Sequence, residues 1–262
     1  LDTVLATFLQ KGSISWLYYS DRLLELPLAL FGIAIATVIL PALSADYAKS
    51  DEDRFAAKLD WAIRLVLLFG LPASIALVIL ADVLIATIFY HGAMTQFDLV
   101  MAGLSLKAYA AGLTAHMMVK VLAPGFFARQ DMKTPVKIGI IALVTNMVFN
   151  LVLIGFLGHI GLALATSISA FVNAFLLWRA LSMSSIYRPG AQWLKFIVRI
   201  GLALVLMQGL LLMIVPSLDQ WLSYALEDQI LALVGLCAVG SALYLITLWL
   251  LGLRVSDFRD QI

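Results

Sequence analysis

Charge is scarce in this chain. Asp, Glu, Lys and Arg make up 13% of its 262 residues, about half the roughly 25% of a soluble domain. Cysteine occurs once, at Cys237, so neither an internal disulfide nor a paired-cysteine metal site can form; inside its apolar run it reads as a small buried hydrophobe. There is no Gly-x-x-x-x-Gly-Lys-Ser/Thr phosphate loop and no His-Glu-x-x-His, and the three histidines, His91, His116 and His159, are scattered. These absences argue against hydrolysis and nucleophilic catalysis, so the chain reads as a non-enzyme. The net charge of +1 singles out no partner, and no nucleic acid is expected. A cleavable signal pattern is also lacking, and the sequence opens with Leu1 partway through an apolar segment, as a piece of a longer protein would.

Apolar sequence is abundant instead. Hydrophobic residues reach 63%, and the mean hydropathy is +1.02. Runs near the 20 residues that cross a bilayer recur along the whole length, which makes this an all-α polytopic membrane protein. The runs and their polar breaks predict the tail of one helix over 1–10 and spans over 15–44, 61–89, 97–123, 135–157, 160–181, 193–215 and 229–251, seven full spans and one partial span. Pro27 and Pro72 should bend the first two full spans, because proline lacks a backbone donor and clashes with the preceding turn.

Basic residues alternate with the spans. Lys49, Arg54, Lys58, Arg64, Arg129, Lys133, Lys137, Arg179, Arg188, Lys195, Arg199, Arg254 and Arg259, 13 of the 17 Lys and Arg residues, fall at one side, whereas 90–96, 158–160 and 216–228 contain none. Cytoplasmic loops carry the excess of such residues, so the C-terminus is expected in the cytoplasm. Within the first basic connection, Ser50-Asp51-Glu52-Asp53 resembles a helix start with a capping serine. Phe55, Leu59 and Ile63 then recur at fours and leave Asp53, Lys58 and Asp60 to the wet side. Residues 50–60 are read as a short amphipathic cytoplasmic connector, either lying on the membrane surface or continuing into the next span.

Of the other four basic residues, Lys11 lies in a loop at the opposite side and three lie inside spans. Arg22 and Glu25 are three apart and share a helix face, suggesting a polar chamber for charged cargo or a local ion pair. Lys107 falls near mid-bilayer, where it faces either a watery cavity or a local carboxylate. Lys120 is close enough to the basic end to snorkel. Asn146 and Asn150 share a face, Thr166 lies on the next helix and Asp2 on the first. Together they are candidate ligands for a small hard cation, or a hydrogen-bonded seam between helices. Gradient-driven transport fits these features better than ATP-driven pumping.

Two stretches carry a resemblance. Trp16-Leu17-Tyr18-Tyr19-Ser20-Asp21-Arg22-Leu23-Leu24-Glu25 with Pro27, and Val119-Lys120-Val121-Leu122-Ala123-Pro124-Gly125-Phe126-Phe127-Ala128-Arg129-Gln130-Asp131 with Lys133-Thr134-Pro135, resemble the MurJ/MviN lipid II flippases of the multidrug/oligosaccharidyl-lipid/polysaccharide exporter superfamily. The resemblance implies the C-terminal lobe of a two-lobe, MATE-like flippase of fourteen helices. Residues 1–182 would supply core helices equivalent to late helix 7 through helix 12, and 183–262 two groove-forming helices and a cytoplasmic tail. It implies alternating access in a bacterial inner membrane, carrying lipid II, the undecaprenyl-diphosphate-linked precursor of peptidoglycan, for cell-wall synthesis and cell shape. Arg22 would contact the anion and Glu25 orient or gate it; Lys107 matches no position of the family and is a candidate contact from its place in the span alone. Lys120, Pro124, Gly125, Arg129 and Asp131 would belong to a cytoplasmic gate, and Asp2, Asn146, Asn150 and Thr166 to a sodium site. No other cofactor is implied, coupling being to sodium or protons. Membrane lipids and a missing N-terminal lobe are the implied partners. A drug or O-antigen exporter of the same superfamily, or a non-transporting scaffold, is the alternative.

Overall fold

A computed structural model describes residues 2–184, 187, 190 and 192–254; Arg188 and Arg259, which entered the orientation argument, lie outside them. The helices are α1 (Asp2–Ala6), α2 (Ser13–Pro27), α3 (Ala34–Ala48), α4 (Glu52–Phe89), α5 (Gln96–Phe127), α6 (Lys133–Leu157), α7 (His159–Met183), α8 (Gln192–Ile214), α9 (Leu218–Leu222) and α10 (Leu226–Leu250). A π-helical segment, Leu28–Ile33, joins α2 to α3, so the bend expected near Pro27 takes the form of a widened turn within one span. Seven spans result: α2 with α3, then α4, α5, α6, α7, α8 and α10. The protein is therefore a multi-pass membrane protein. Its connections at 49–51, 128–132 and 184–191 share one end, called here the basic end.

Capping residues set several helix starts. Thr95 and Asp98 form a capping box at α5, with Thr95 Oγ1 accepting from the Asp98 N–H and Asp98 Oδ2 accepting from the Thr95 N–H. Asp131 Oδ1 accepts from the N–H groups of Lys133 and Thr134 at 3.1 and 3.0 Å, opening α6. At α4 the cap is Asp51, which accepts from the Arg54 N–H at 3.1 Å, rather than the expected Ser50; Ser50 occupies the left-handed region with φ 54°.

Helix α5 is the most buried span and packs against α2, α4 and α7, while α6 lies outside against α7. Helices α8 and α10 pair and dock on α4, where Leu68 meets Phe196, Leu204, Tyr244 and Leu248. The Tyr244 hydroxyl donates to the Leu68 carbonyl at 2.9 Å across that seam. Cys237 does not join the interior: it is exposed on α10, because the docked face of that helix runs through Leu236, Gly240 and Tyr244 instead.

The connector does continue into the next span, as the first part of α4, rather than lying on the membrane surface. That helix runs without a break for 38 residues, about 57 Å, and Phe55, Leu59 and Ile63 are buried in the protein core rather than in lipid. Two of the three residues assigned to water are also enclosed. Lys58 Nζ pairs with Asp46 of α3 at 2.7 Å. Asp60 accepts from Arg64 Nε at 2.6 Å, from the Tyr187 hydroxyl at 2.8 Å and from Trp193 Nε1 at 2.6 Å. Burial and the hydrogen bond to Asp60 push the Tyr187 phenol well above its ordinary pKa, so it stays a donor throughout the physiological range. Segments from α3 and from the α7–α8 connection thus cover the face that sequence alone left open.

Candidate functional site: a charged face on α2

The first turns of α2 are fixed from both sides. Gly12 caps the helix at φ 108°, and a Cβ there would strike the Trp16 ring. Trp16 is buried and donates from Nε1 to Asp98 Oδ1 at 2.8 Å, beside the His159 ring at 4.7 Å. One turn on, the buried Ser20 hydroxyl lies 2.8 Å from the Trp16 carbonyl and 2.7 Å from the Ala102 carbonyl of α5, sharing its proton between them. With Trp16, Ser20, Leu23 and Leu24 turned inward, Tyr18, Asp21, Arg22 and Glu25 must point out.

Arg22 Nη1 donates to Glu25 Oε2 at 2.7 Å, and both side chains are 52% exposed. The Arg22 guanidinium also sits 4.9 Å from the centroid of the Tyr18 ring, a cation–π contact that holds it extended from the helix. Arg22 is nine residues past Ser13, the start of the 36-residue span of α2 with α3, about 14 Å along the axis, and so lies within a membrane-spanning stretch. Lipid cannot cover such a pair cheaply: insertion scales put a charge at mid-span near 3 kcal/mol. The face therefore needs water or further protein over it.

Lys120 stands on the same flank, lining a cavity of about 390 Å³ with Ala36, Thr37 and Leu40 of α3. Pro124 and Gly125 are buried in the last turns of α5. Arg129 borders a polar pocket of about 370 Å³ with Tyr47, Ser50, Asp51, Glu52 and Ser184. Asp131, beyond that pocket, is held below its ordinary pKa chiefly by the hydrogen bond with Thr134.

Lys107 does not join Arg22. Its Nζ donates to Asp82 Oδ2 at 2.7 Å, and the two side chains are 33% and 35% exposed on the seam between α4 and α5. A Cβ at Gly103 would overlap the Asp82 carboxylate, so the glycine makes room for the pair. Sequence reading left the partner unnamed; a lone acid in the apolar second half of α4 was the available signal.

The four oxygen-bearing residues do converge. Asp2 Oδ1 accepts from Asn150 Nδ2 at 2.7 Å and Asp2 Oδ2 from the Thr166 hydroxyl at 2.9 Å. Asn150 Nδ2 also lies 3.0 Å from Asn146 Oδ1, and Asn146 Nδ2 3.3 Å from Thr166 Oγ1. Asn150 is fully buried, and its Oδ1 finds no hydrogen-bond partner among the described residues. A carboxylate with amide and hydroxyl oxygens, one of them unsatisfied, fits a small hard cation. Among the described residues there is no cluster of three His, Cys, Asp or Glu that could hold a metal ion.

A family model described as lipid II flippase MurJ matches residues 1–228. A probable lipid II flippase MurJ of Vibrio cholerae serotype O1 is 48% identical over 258 residues, covering 98% of this chain and 49% of the relative. The lipid II flippase MurJ of Burkholderia cenocepacia is 36% identical over 263 residues, covering 100% and 51%. Among solved structures, a lipid II flippase MurJ in an inward closed conformation superposes with a TM-score of 0.77 at 28% identity, over 94% of this chain and 48% of that one. An outward-facing MATE family multidrug resistance transporter gives 0.63 at 17% identity, over 79% and 47%, a likeness of fold. The chain spans about half the length of the curated relatives it matches.

Proposed function

Because this chain belongs to the lipid II flippase MurJ family, we propose that it forms the C-terminal lobe of a flippase that moves lipid II between leaflets by alternating access, and that Arg22 receives the diphosphate. The observation that carries this reading is the open Arg22–Glu25 pair within the first full span. Guanidinium presents five donors in a planar fork suited to phosphate oxygens, and Glu25 engages only one of its nitrogens. Glu25 orients the fork and neutralises it when no anion is bound. A diphosphate carries more charge than one carboxylate and would draw the guanidinium away from Glu25. Lys120, farther along the same flank, supplies a second cation toward the basic end.

The lobe alone leaves the charged face uncovered, so a second lobe completes the chamber and half of the gate. In this reading the basic ends lie in the cytoplasm of a bacterial cell, the protein resides in the inner membrane, and the C-terminus is cytoplasmic. Helices α8 and α10 form the added pair that serves lipid, beside a cavity of about 270 Å³ bounded by α4 and the π-helical segment. Asp2, Asn146, Asn150 and Thr166 would hold a sodium ion, whose oxygen ligands they supply between α1, α6 and α7.

The test is complementation of a strain depleted of its own flippase, using the full-length protein with membrane levels checked by immunoblot. Arg22→Ala should fail and Arg22→Lys should retain partial function, since lysine keeps the charge and loses the fork. Equal growth with all three forms overturns the assignment of Arg22.

A further inference from the structure

On the flank away from Arg22, a groove of about 790 Å³ runs between α4, α5, α7 and α8. It takes no residue from α1, α2, α3, α6 or α10. The two flanks lie on opposite faces of α5: Ala102, which meets Ser20 of α2, and Ala111, which lines the groove, are nine residues and so half a turn out of phase. On the reading above, the second lobe covers the Arg22 side and leaves this flank to the bilayer.

Its walls are apolar almost throughout. Two of the few polar groups there, the Ser74 and Thr114 hydroxyls, are bonded to each other at 3.0 Å and ask for no polar ligand. Along one wall Phe171 and Phe175 are 52% and 54% exposed, a concave apolar surface at membrane depth that only hydrocarbon can fill favourably. From Ile63 to Ile79 the groove follows α4 for 16 residues, about 24 Å. One leaflet with its headgroups is about 20 to 22 Å deep, half of a bilayer 40 to 45 Å thick.

The basic end has the character of a membrane interface. Tyr187 and Trp193 line the groove there and both donate to Asp60, whose partner Arg64 lies 5.3 Å from the Trp193 ring. Trp178 lines the facing wall. Aromatic side chains with one polar end belong at headgroup level. The exposed Arg179 follows Trp178 by one residue and, with Arg64, gives that mouth an excess of positive charge over Asp60. At the other end Asp82 and Lys107 stand one turn beyond Val78 and one turn before Ala111 on the same two helices, and their ion pair limits the apolar path.

We propose that this groove is a binding site for one phospholipid of the basic-end leaflet, with an acyl chain along Ile63 to Ile79 and an anionic headgroup beside Arg179. The lipid acts as a resident wedge that sets how α8 stands off α7. The occupant rests on the proposed lobe arrangement only in leaving this flank uncovered.

The experiment uses the full-length protein from nanodiscs of phosphatidylethanolamine and phosphatidylglycerol in equal parts, with retained lipid identified by native mass spectrometry. Wild type should retain one phosphatidylglycerol, and Ala111→Phe, which fills the groove from an exposed position, should weaken retention by about tenfold. Val205→Phe, on the 66% exposed outer side of α8, and Arg22→Ala should leave it unchanged, so the outcome is separate from that of the transport reading. Arg179→Gln should abolish the preference for phosphatidylglycerol. A photoreactive benzophenylalanine at Phe175 should crosslink to lipid, independently of whether Ala111→Phe folds. Crosslinking to the protein's own N-terminal half, equal retention after Ala111→Phe, or no phospholipid on wild type overturns the site; an unchanged preference overturns the headgroup assignment.

Discussion

Replacing Gly112 with alanine tests a close contact between α5 and α7. A Cβ at Gly112 would stand 2.5 Å from Ser167 Oγ and 2.7 Å from Ser167 Cα and Cβ, against a carbon–carbon optimum of about 3.5 to 4.0 Å. Because Cα belongs to the backbone of α7, no rotamer change relieves the overlap, and α5 and α7 must part by about 1 Å. Parting also stretches the bond that Ser167 Oγ donates to the Ala108 carbonyl at 2.7 Å. Overpacking costs about 1 to 3 kcal/mol and the bond about 0.5 to 1.5 kcal/mol. Alanine also gains helix propensity, about 0.8 to 1 kcal/mol. That gain cancels in a comparison with Gly139→Ala on α6, where an added Cβ meets nothing within 4 Å. In detergent-denaturation titrations of the full-length protein, Gly112→Ala should therefore unfold about 1.5 to 4.5 kcal/mol below Gly139→Ala. Adding Ser167→Ala should not restore it, since Cα and Cβ remain in the way. Two glycine variants of equal stability would refute the reasoning.

Other outcomes follow from single contacts. Lys107→Met leaves the Asp82 carboxylate alone in the membrane and should lower the unfolding midpoint by about 1 to 3 kcal/mol, less than for a fully buried pair because both groups are about a third exposed; adding Asp82→Asn should recover most of the loss. Trp221 is fully buried and donates to Thr87 Oγ1 at 3.1 Å, so Trp221→Ala should cost about 3 to 5 kcal/mol and Trp221→Phe about 1 kcal/mol in the same titration. Asp131→Ala removes the cap of α6 and should cost about 1 kcal/mol at neutral pH. The folded-state pKa of Asp131 is depressed, so its contribution is present above the unfolded value of about 3.9 and fades as pH falls through the lower folded one. The gap between Asp131→Ala and wild type should therefore narrow in acid.

Spans were legible because hydropathy and basic loops are properties of local sequence, and all seven stand within a few residues of where the runs put them, apart from the extra turns at the basic end of α4. That those turns continue into the span was one of the two outcomes expected; their enclosure was missed because amphipathicity says which face is apolar but not what covers it. Tyr187 and Trp193 come from 127 and 133 residues away to enclose Asp60. Helix α9 escaped notice since five residues cannot build a periodic signal, although Ser217 accepting from the Gln220 N–H is a capping pattern. At the charged site the spacing of Arg22 and Glu25 gave their pairing directly. The convergence of Asp2 with Asn150 and Thr166 spans 148 and 164 residues and was inferred from ligand type, the packing of α1, α6 and α7 being a tertiary matter. For Lys107 a local carboxylate was one of the two expectations, but that partner lies on a neighbouring helix that no periodicity specifies.

The π-helical segment after Pro27 lets the two halves of one span answer to different neighbours. Above it, Trp16 and Ser20 tie α2 to α5; below it, Asp46 ties α3 to Lys58 of α4. A continuous α-helical ladder would fix the azimuth of Arg22 relative to Asp46 at 100° per residue. A π turn admits an extra residue, and Pro27 contributes no N–H, so that phase relation is broken where the ladder is weakest. The span behaves as two levers on a shared pin, and a turn of the lower lever against α4 need not carry the upper one with it.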